Sequence, residues 1–134
     1  MNLLLAVLCL LGVVQGMDVT VTAYTSSVRE CDGDPWVTAS GHRLKKGDAV
    51  VAVSRDLEAA GLKMGTWLYL ALPQGGGWFR VEDRMHPRWR KRVDVWMGTS
   101  RRDALAFGKR RGRIYFIVGA DKQFVHAHFA KEGG

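Results

Sequence analysis

The 134-residue chain has little cysteine, Cys9 and Cys31 alone, and only three prolines. Two cysteines permit at most one disulfide, which excludes a disulfide-stapled scaffold and leaves stabilisation to an apolar core. Acidic residues are also scarce: 13 Asp and Glu face 20 Lys and Arg, for a formal charge of +7. That balance excludes an acidic, solvating chain and favours attraction to a polyanion, whether nucleic acid, anionic lipid or an acidic wall polymer. No apolar run approaches the roughly 20 residues that a bilayer-spanning helix needs. Internal repeats, low-complexity linkers and heptads are absent too. What remains is a chain with 47% hydrophobic residues and 16 glycines, which fits one small globular domain rich in turns.

The stretch "MNLLLAVLCLLGVVQG" carries an uncharged apolar run from Leu3 to Val14 and ends in Val14, Gln15 and Gly16. This is the pattern of a secretory signal cleaved after Gly16, although no Lys or Arg precedes the run. The expectation is an exported protein of the periplasm, envelope or extracellular space, with no integral membrane span in the mature chain. Residues 1–16 would be the signal, 17–122 the domain and 123–134 a C-terminal tail. Cleavage removes Cys9 and leaves Cys31 without an intramolecular partner. Cys31 lies in the polar turn "RECDGDPW", where a tolerated loop thiol is the simpler reading; a catalytic thiol would need His42 as its base. His126 and His128 in "FVHAHF" show alternate spacing, but two histidines without a third ligand are read as a solvated tail.

Alternation of apolar and polar residues predicts most of the elements. "DVTVTAYT" from Asp18 to Thr25 reads as a half-buried strand. "WVTASGHRLKKGD" reads as an extended segment closed by Gly41 and by Gly47-Asp48. "AVVAV" from Ala49 to Val53 is continuously apolar and is expected in the centre of the sheet, followed by a turn or two of helix in "SRDLEAAGLKMG". "TWLYLALP" predicts a strand ending in a "QGGG" turn, "GWFRVED" and "RVDVWM" predict two more, and "RIYFIVG" a last one. The clearest helix is "TSRRDALAFG", with Thr99 or Ser100 as cap, Asp103 in the first turn and Gly108 at the end. Six or so strands with one or two short helices predict an all-β, closed or nearly closed barrel.

Three carboxylates stand at or near strand ends: Asp56 in "AVSRDL", Asp83 in "RVEDRM" and Asp94 in "RVDVWM". Asp83 and Asp94 would be delivered by neighbouring strand ends, beneath a link that carries Arg84, Arg88, Arg90, Lys91 and Arg92. Glycosidic cleavage needs such groups, one to protonate the leaving oxygen and another to stabilise an oxocarbenium-like transition state. Asp94 lies between Val93 and Val95, so it is expected to face away from the core. In a partly dry cleft, burial and the charge of Asp83 would raise its pKa. The alternative is that Asp83 pairs with Arg84 or Arg92 on the surface and does nothing else.

The segments "VTAYTSS", "PWVTASGHRLKKGDAVVAVSRDL", "MGTWLYL", "RVEDRMHPRWRKRVDVWMG" and "ALAFGKRRGRIYFI", in this order, resemble the three-aspartate (3D) domain family. That family is akin to the catalytic domain of membrane-bound lytic murein transglycosylase A. The resemblance spans nearly the whole chain after the signal. It implies a double-psi β-barrel and a lytic transglycosylase that cleaves the peptidoglycan strand between N-acetylmuramic acid and N-acetylglucosamine, leaving a 1,6-anhydro product. Asp94 in "VDVWMG" matches the acid/base aspartate and Asp83 in "VEDRM" the supporting one. Many members place the third aspartate directly after Ala-Val, where this chain has Ser54; a branch of the family reads "AVSRDL", so Asp56 would fill that role. Tyr24 and Thr38 match segments that border the groove, and with Ser54, Arg84 and Trp89 they are the expected substrate contacts. No metal or organic cofactor is implied, and a monomer acting on glycan strands is expected. Two rival readings remain: a non-catalytic peptidoglycan-binding module on the same barrel, and a nucleic-acid binder suggested by tryptophans among arginines, which export disfavours.

Overall fold

The structure, a computed structural model, describes residues 12–26 and 33–119. Cys9, Cys31, His126, His128 and the 123–134 tail lie outside them. Six strands and two short helices follow in the order β1 (Val13–Tyr24), β2 (Val50–Val53), α1 (Arg55–Ala59), β3 (Trp67–Leu72), β4 (Gly75–Arg84), β5 (Arg92–Trp96), α2 (Arg101–Phe107) and β6 (Arg110–Val118). The strands close into a barrel in the order β1-β5-β2-β4-β3-β6. β1 runs parallel to β5 and β2 parallel to β4, while the other neighbours are antiparallel. These two parallel pairs, woven into one closed sheet, are the double-psi arrangement, and closure removes the unpaired edges of an open sheet.

The core is the barrel interior. Val19 and Val21 of β1, Val51 and Val53 of β2, Leu68 and Leu70 of β3, Val81, Val93 and Val95, and Ile114 and Phe116 pack there. Each is one step of a period-2 pattern, so the residues between them project outward. β2 is buried along all four residues and sits between β5 and β4. Gly112 occupies an inward position on β6 because a Cβ there would meet Val21 Cγ2 at 2.9 Å and Leu72 Cδ2 at 3.0 Å.

Four local expectations change. β1 begins at Val13 rather than at Asp18, and its first four residues are exposed and pair with Tyr115–Val118. The three glycines of "QGGG" belong to β4 rather than to the turn, which is Pro73-Gln74. The "WVTASGHRLKKGD" stretch is a folded-over loop whose isolated bridge pairs Val37 with Arg43. Finally, β4 and β5 are not neighbours: β2 lies between them. α2 follows its signals, with Ser100 Oγ accepting from the Asp103 N–H at 3.2 Å and Gly108 closing it at φ 65°.

Candidate active site

Strand register places the carboxylates. Ala52 of β2 faces Asp94 of β5 on one side and Asp83 of β4 on the other, and Asp94 in turn faces Thr22 of β1. Thr22, Asp94, Ala52 and Asp83 therefore form one row across four strands, on the outer face of the barrel. The two aspartates stand two strand spacings apart, about 9–10 Å between Cα atoms. They line a common groove of about 220 Å³ with Tyr24, Arg84, His86 and Trp89, and Ala52 as its floor. That is the volume of roughly seven waters, room for a single pyranose ring.

Asp83 reaches this face because of a β-bulge. Val51 pairs with Val81 and the next residue, Ala52, pairs with Asp83, so Glu82 is an extra residue in β4. Without it, Asp83 would share the inward phase of Val81; the bulge turns it outward beside Ala52. Glu82 itself is 8% exposed. It is held by Arg80 at 2.8 Å and by the Ser40 hydroxyl, while the Ser40 N–H donates to its carbonyl at 3.1 Å. These contacts fasten the 33–48 loop to β4. The loop in return donates the Ala39 N–H to Asp83 Oδ1 at 3.0 Å.

Asp83 also accepts from its neighbour's Arg84 N–H at 3.0 Å and from the Tyr24 hydroxyl at 3.4 Å. The surface-pair alternative does not describe it. The Arg84 guanidinium turns to Glu58 at 3.2 Å, and Arg92 lies over the Trp89 ring at 3.8 Å. Asp94 accepts from the Thr22 hydroxyl at 2.9 Å. Trp89, half-buried at the groove wall, also carries Arg88 over its ring at 4.6 Å. Its guanidinium stacking is worth about 1 kcal/mol per contact.

Three expected site residues lie elsewhere. Ser54 is 0% exposed and its hydroxyl accepts the Arg92 N–H at 3.1 Å, so it contacts the backbone rather than the groove. Asp56, on the first turn of α1, accepts the Lys91 N–H at 2.9 Å and is not part of the groove lining. Burial alone would raise its carboxyl, but hydrogen bonds from Ser54 and from the backbone N–H groups of Lys91 and the helix outweigh this and hold it below the ordinary value. Together Ser54 and Asp56 clamp the start of β5, next to Lys91 with its left-handed φ of 46°. Thr38 is 5% exposed and bonds within its own loop to Ser40 and His42. Thr22 and His86 were not expected at the site; the alternation of "DVTVTAY" already put Thr22 on the outward face, whereas nothing local marks His86. Among the described residues no set of three His, Cys, Asp or Glu side chains gathers as metal ligands.

One step further along the same strands, Tyr24, Trp96, Val50 and Arg80 form the next outward row. Here the 33–48 loop covers the barrel: Leu44 and Trp36 pack on Trp96, Val50 and Tyr24. Trp36 meets Trp96 edge-on with centroids 6.2 Å apart. The Trp96 indole N–H donates to Ser26 at 2.9 Å.

The sequence matches no protein-family model and no curated protein. Solved structures share the barrel. An expansin from Clavibacter michiganensis in complex with cellohexaose superposes with a TM-score of 0.53 at 18% identity, over 78% of this chain and 50% of that one. The E. coli lytic transglycosylase MltA gives a TM-score of 0.50 at 18% identity, over 63% of this chain and 28% of that one. A Streptomyces papain inhibitor gives 0.50 at 18% identity, over 78% of this chain and 94% of that one. The chain thus spans about half the expansin's length and little more than a quarter of the transglycosylase's. At these identities the shared property is the fold.

Proposed function

We propose that this barrel is a lytic transglycosylase that cleaves the peptidoglycan glycan strand between N-acetylmuramic acid and N-acetylglucosamine. The observation that carries the reading is the projection of Asp83 and Asp94 onto one face, flanking Ala52, in a groove the size of a sugar ring. Protonated Asp94 donates to the glycosidic oxygen as the C1–O bond breaks. The 6-hydroxyl of the same muramic acid then attacks C1, and the Asp94 carboxylate takes its proton, closing the 1,6-anhydro ring. Atoms balance without water and without a second nucleophile. Because the attack is intramolecular, holding the ring in the reactive conformation supplies much of the rate.

Asp83 contributes negative charge beside the oxocarbenium-like centre. Its partners are two backbone N–H groups and a phenol rather than a guanidinium. Arg84 and the arginines of the 84–92 link give the groove a basic rim suited to the lactyl and peptide carboxylates of the substrate. Asp56 and Ser54 act by holding β5, and through it Asp94, in register. Export places the enzyme beside its substrate, and cleavage after Gly16 leaves β1 paired from Met17 to Tyr24.

A second reading has its own support. The third carboxylate lies outside the groove, and barrels of this shape include an expansin bound to cellohexaose and a papain inhibitor; a non-catalytic wall-binding module would use the groove without proton transfer. Purified sacculi incubated with the protein separate the two. Anhydro-ended muropeptides seen by mass spectrometry, and lost with Asp94→Asn, establish cleavage. Intact sacculi that nevertheless retain the protein establish binding alone. Edman sequencing of the secreted chain tests the Gly16 boundary.

A further inference from the structure

The charge of +7 is not spread evenly, and strand register shows where part of it gathers. Thr20 of β1 faces Arg92 of β5 on one side and Arg111 of β6 on the other. Val21 next to Thr20 is fully buried, so Thr20, Arg92 and Arg111 all project outward. Two residues along, Asp18 faces Arg113 and pairs with it at 3.0 Å, which confirms that this face carries the β6 arginines. The row lies immediately beside the one that holds Thr22 and Asp94. The basic link at the groove rim, ending in Arg90, Lys91 and Arg92, thus continues across β1 onto β6 as one stripe over the outer wall.

The stripe has cations to spare. Arg88, Arg90, Lys91, Arg92 and Arg111 make no ion pair among the described residues. The carboxylates beside it are engaged: Asp18 with Arg113, Asp56 with the Lys91 N–H, and Asp94 in the next row with the Thr22 hydroxyl. Arg92 and Arg111 stand about 9–10 Å apart across two strand spacings, and Arg111 and Arg113 about 7 Å apart along β6. A flexible chain with a phosphate every few bonds can meet Arg92 and Arg111 together, and guanidinium groups suit phosphate oxygens.

We propose that this stripe binds a polymer of phosphodiester-linked polyols, an anionic wall polymer running beside the glycan strand held in the groove. The choice of a base-free polymer over nucleic acid follows from the aromatics. Single-stranded nucleic acid binding relies on open aromatic faces for base stacking. On this stripe the Trp89 ring carries Arg92 and Arg88, and the Tyr115 ring carries Arg113 at 5.6 Å. The proposal takes its wall location from the preceding reading, but its test does not depend on cleavage.

The full chain is titrated with linear poly(glycerol phosphate), with a single-stranded oligonucleotide of equal charge, and with vesicles containing phosphatidylglycerol, at several salt concentrations. Lys91→Gln with Arg111→Gln is expected to weaken poly(glycerol phosphate) binding about tenfold at low salt and to flatten the log–log salt slope by about one to two. Lys45→Gln with Lys46→Gln, the same charge change on the 33–48 loop, is expected to stay within about twofold. Equal losses from both double variants overturn the proposal, as does tighter binding of the oligonucleotide or the vesicles. Glycan stripped of its phosphodiester polymer is cleaved equally by wild type and by Arg111→Gln alone, which lies outside the groove lining; if no glycan is cleaved at all while the stripe effect persists, the transglycosylase reading falls and this one stands.

Discussion

Two adjacent rows on the outer wall of the barrel, one residue pair apart on the same strands, have opposite fates. Asp94, Ala52 and Asp83 line an open groove with Thr22 beside them in the row, whereas Tyr24, Trp96, Val50 and Arg80 lie under the 33–48 loop. The backbone is the same in both; what differs is side-chain chemistry and where the loop stops. The sealed row buries Trp96, which the half-buried Trp36 of the loop meets edge to face, and contributes stability, and the open row keeps charge where a substrate can reach it. Tyr24 belongs to both, packing in the sealed cluster while its hydroxyl reaches Asp83. A site on the outside of a barrel is thus made by leaving a row uncovered beside one that is firmly covered.

The largest effect that would sharpen this contrast is on the open row. Asp94→Asn keeps the shape and removes the transferable proton, so cleavage is expected to fall by about 10²- to 10⁴-fold while the melting temperature stays close to wild type. Loss of folding with this change would mean that the open row is structural after all. On the sealed row the signs reverse. Trp96→Ala removes a buried indole and its bond to Ser26, and is expected to destabilise by about 3–5 kcal/mol in urea unfolding. Unchanged stability would show that the loop does not hold the covered face.

How much of this contrast was legible before the structure depends on the residue. Val19, Val21, Val93 and Val95 announce strands with one face inside, and from them the outward direction of Asp94 follows directly. Asp83 is different. Alternation from Val81 would send it into the core, and only the extra residue at Glu82 turns it out. That bulge is specified by Arg80 and by Ser40, which lies some forty residues away in sequence, so no local pattern reveals it. The insertion of β2 between β4 and β5 is likewise a property of the closed topology, because local pattern favours sequential strands as neighbours. Asp56 looked like a site residue because it follows an apolar strand, but the start of α1 claims its carboxylate for the Lys91 backbone.

A smaller effect is expected where Thr22 touches the acid. Its hydroxyl donates to Asp94 Oδ1 at 2.9 Å, which favours the carboxylate form. Thr22→Val keeps the shape and removes the donor, so the proton is held more tightly. The alkaline limb of the pH–rate profile, where Asp94 loses the proton it must donate, is expected to move to higher pH. A merely structural threonine would lower the rate at every pH alike.

The smallest effect belongs to the loop that divides the rows. His42 meets Asp48 at 2.9 Å, and the Lys45 N–H donates to the same carboxylate oxygen at 3.0 Å. Burial pushes the Asp48 carboxyl up, but the bonds from His42 and Lys45 and their charges outweigh it and hold the pKa below the ordinary carboxylate value. A group depressed in the folded state binds its proton more readily when unfolded, so its stabilisation is fully present above about pH 4 and is lost as pH falls through the folded value. Asp48→Asn is therefore expected to cost about 1 kcal/mol at pH 7, with the gap to wild type closing below about pH 4. Melting curves from pH 7 to pH 2 read this directly: a gap that stays constant to pH 2 would mean that the loop is held by packing alone, and that the covered row owes nothing to this ion pair.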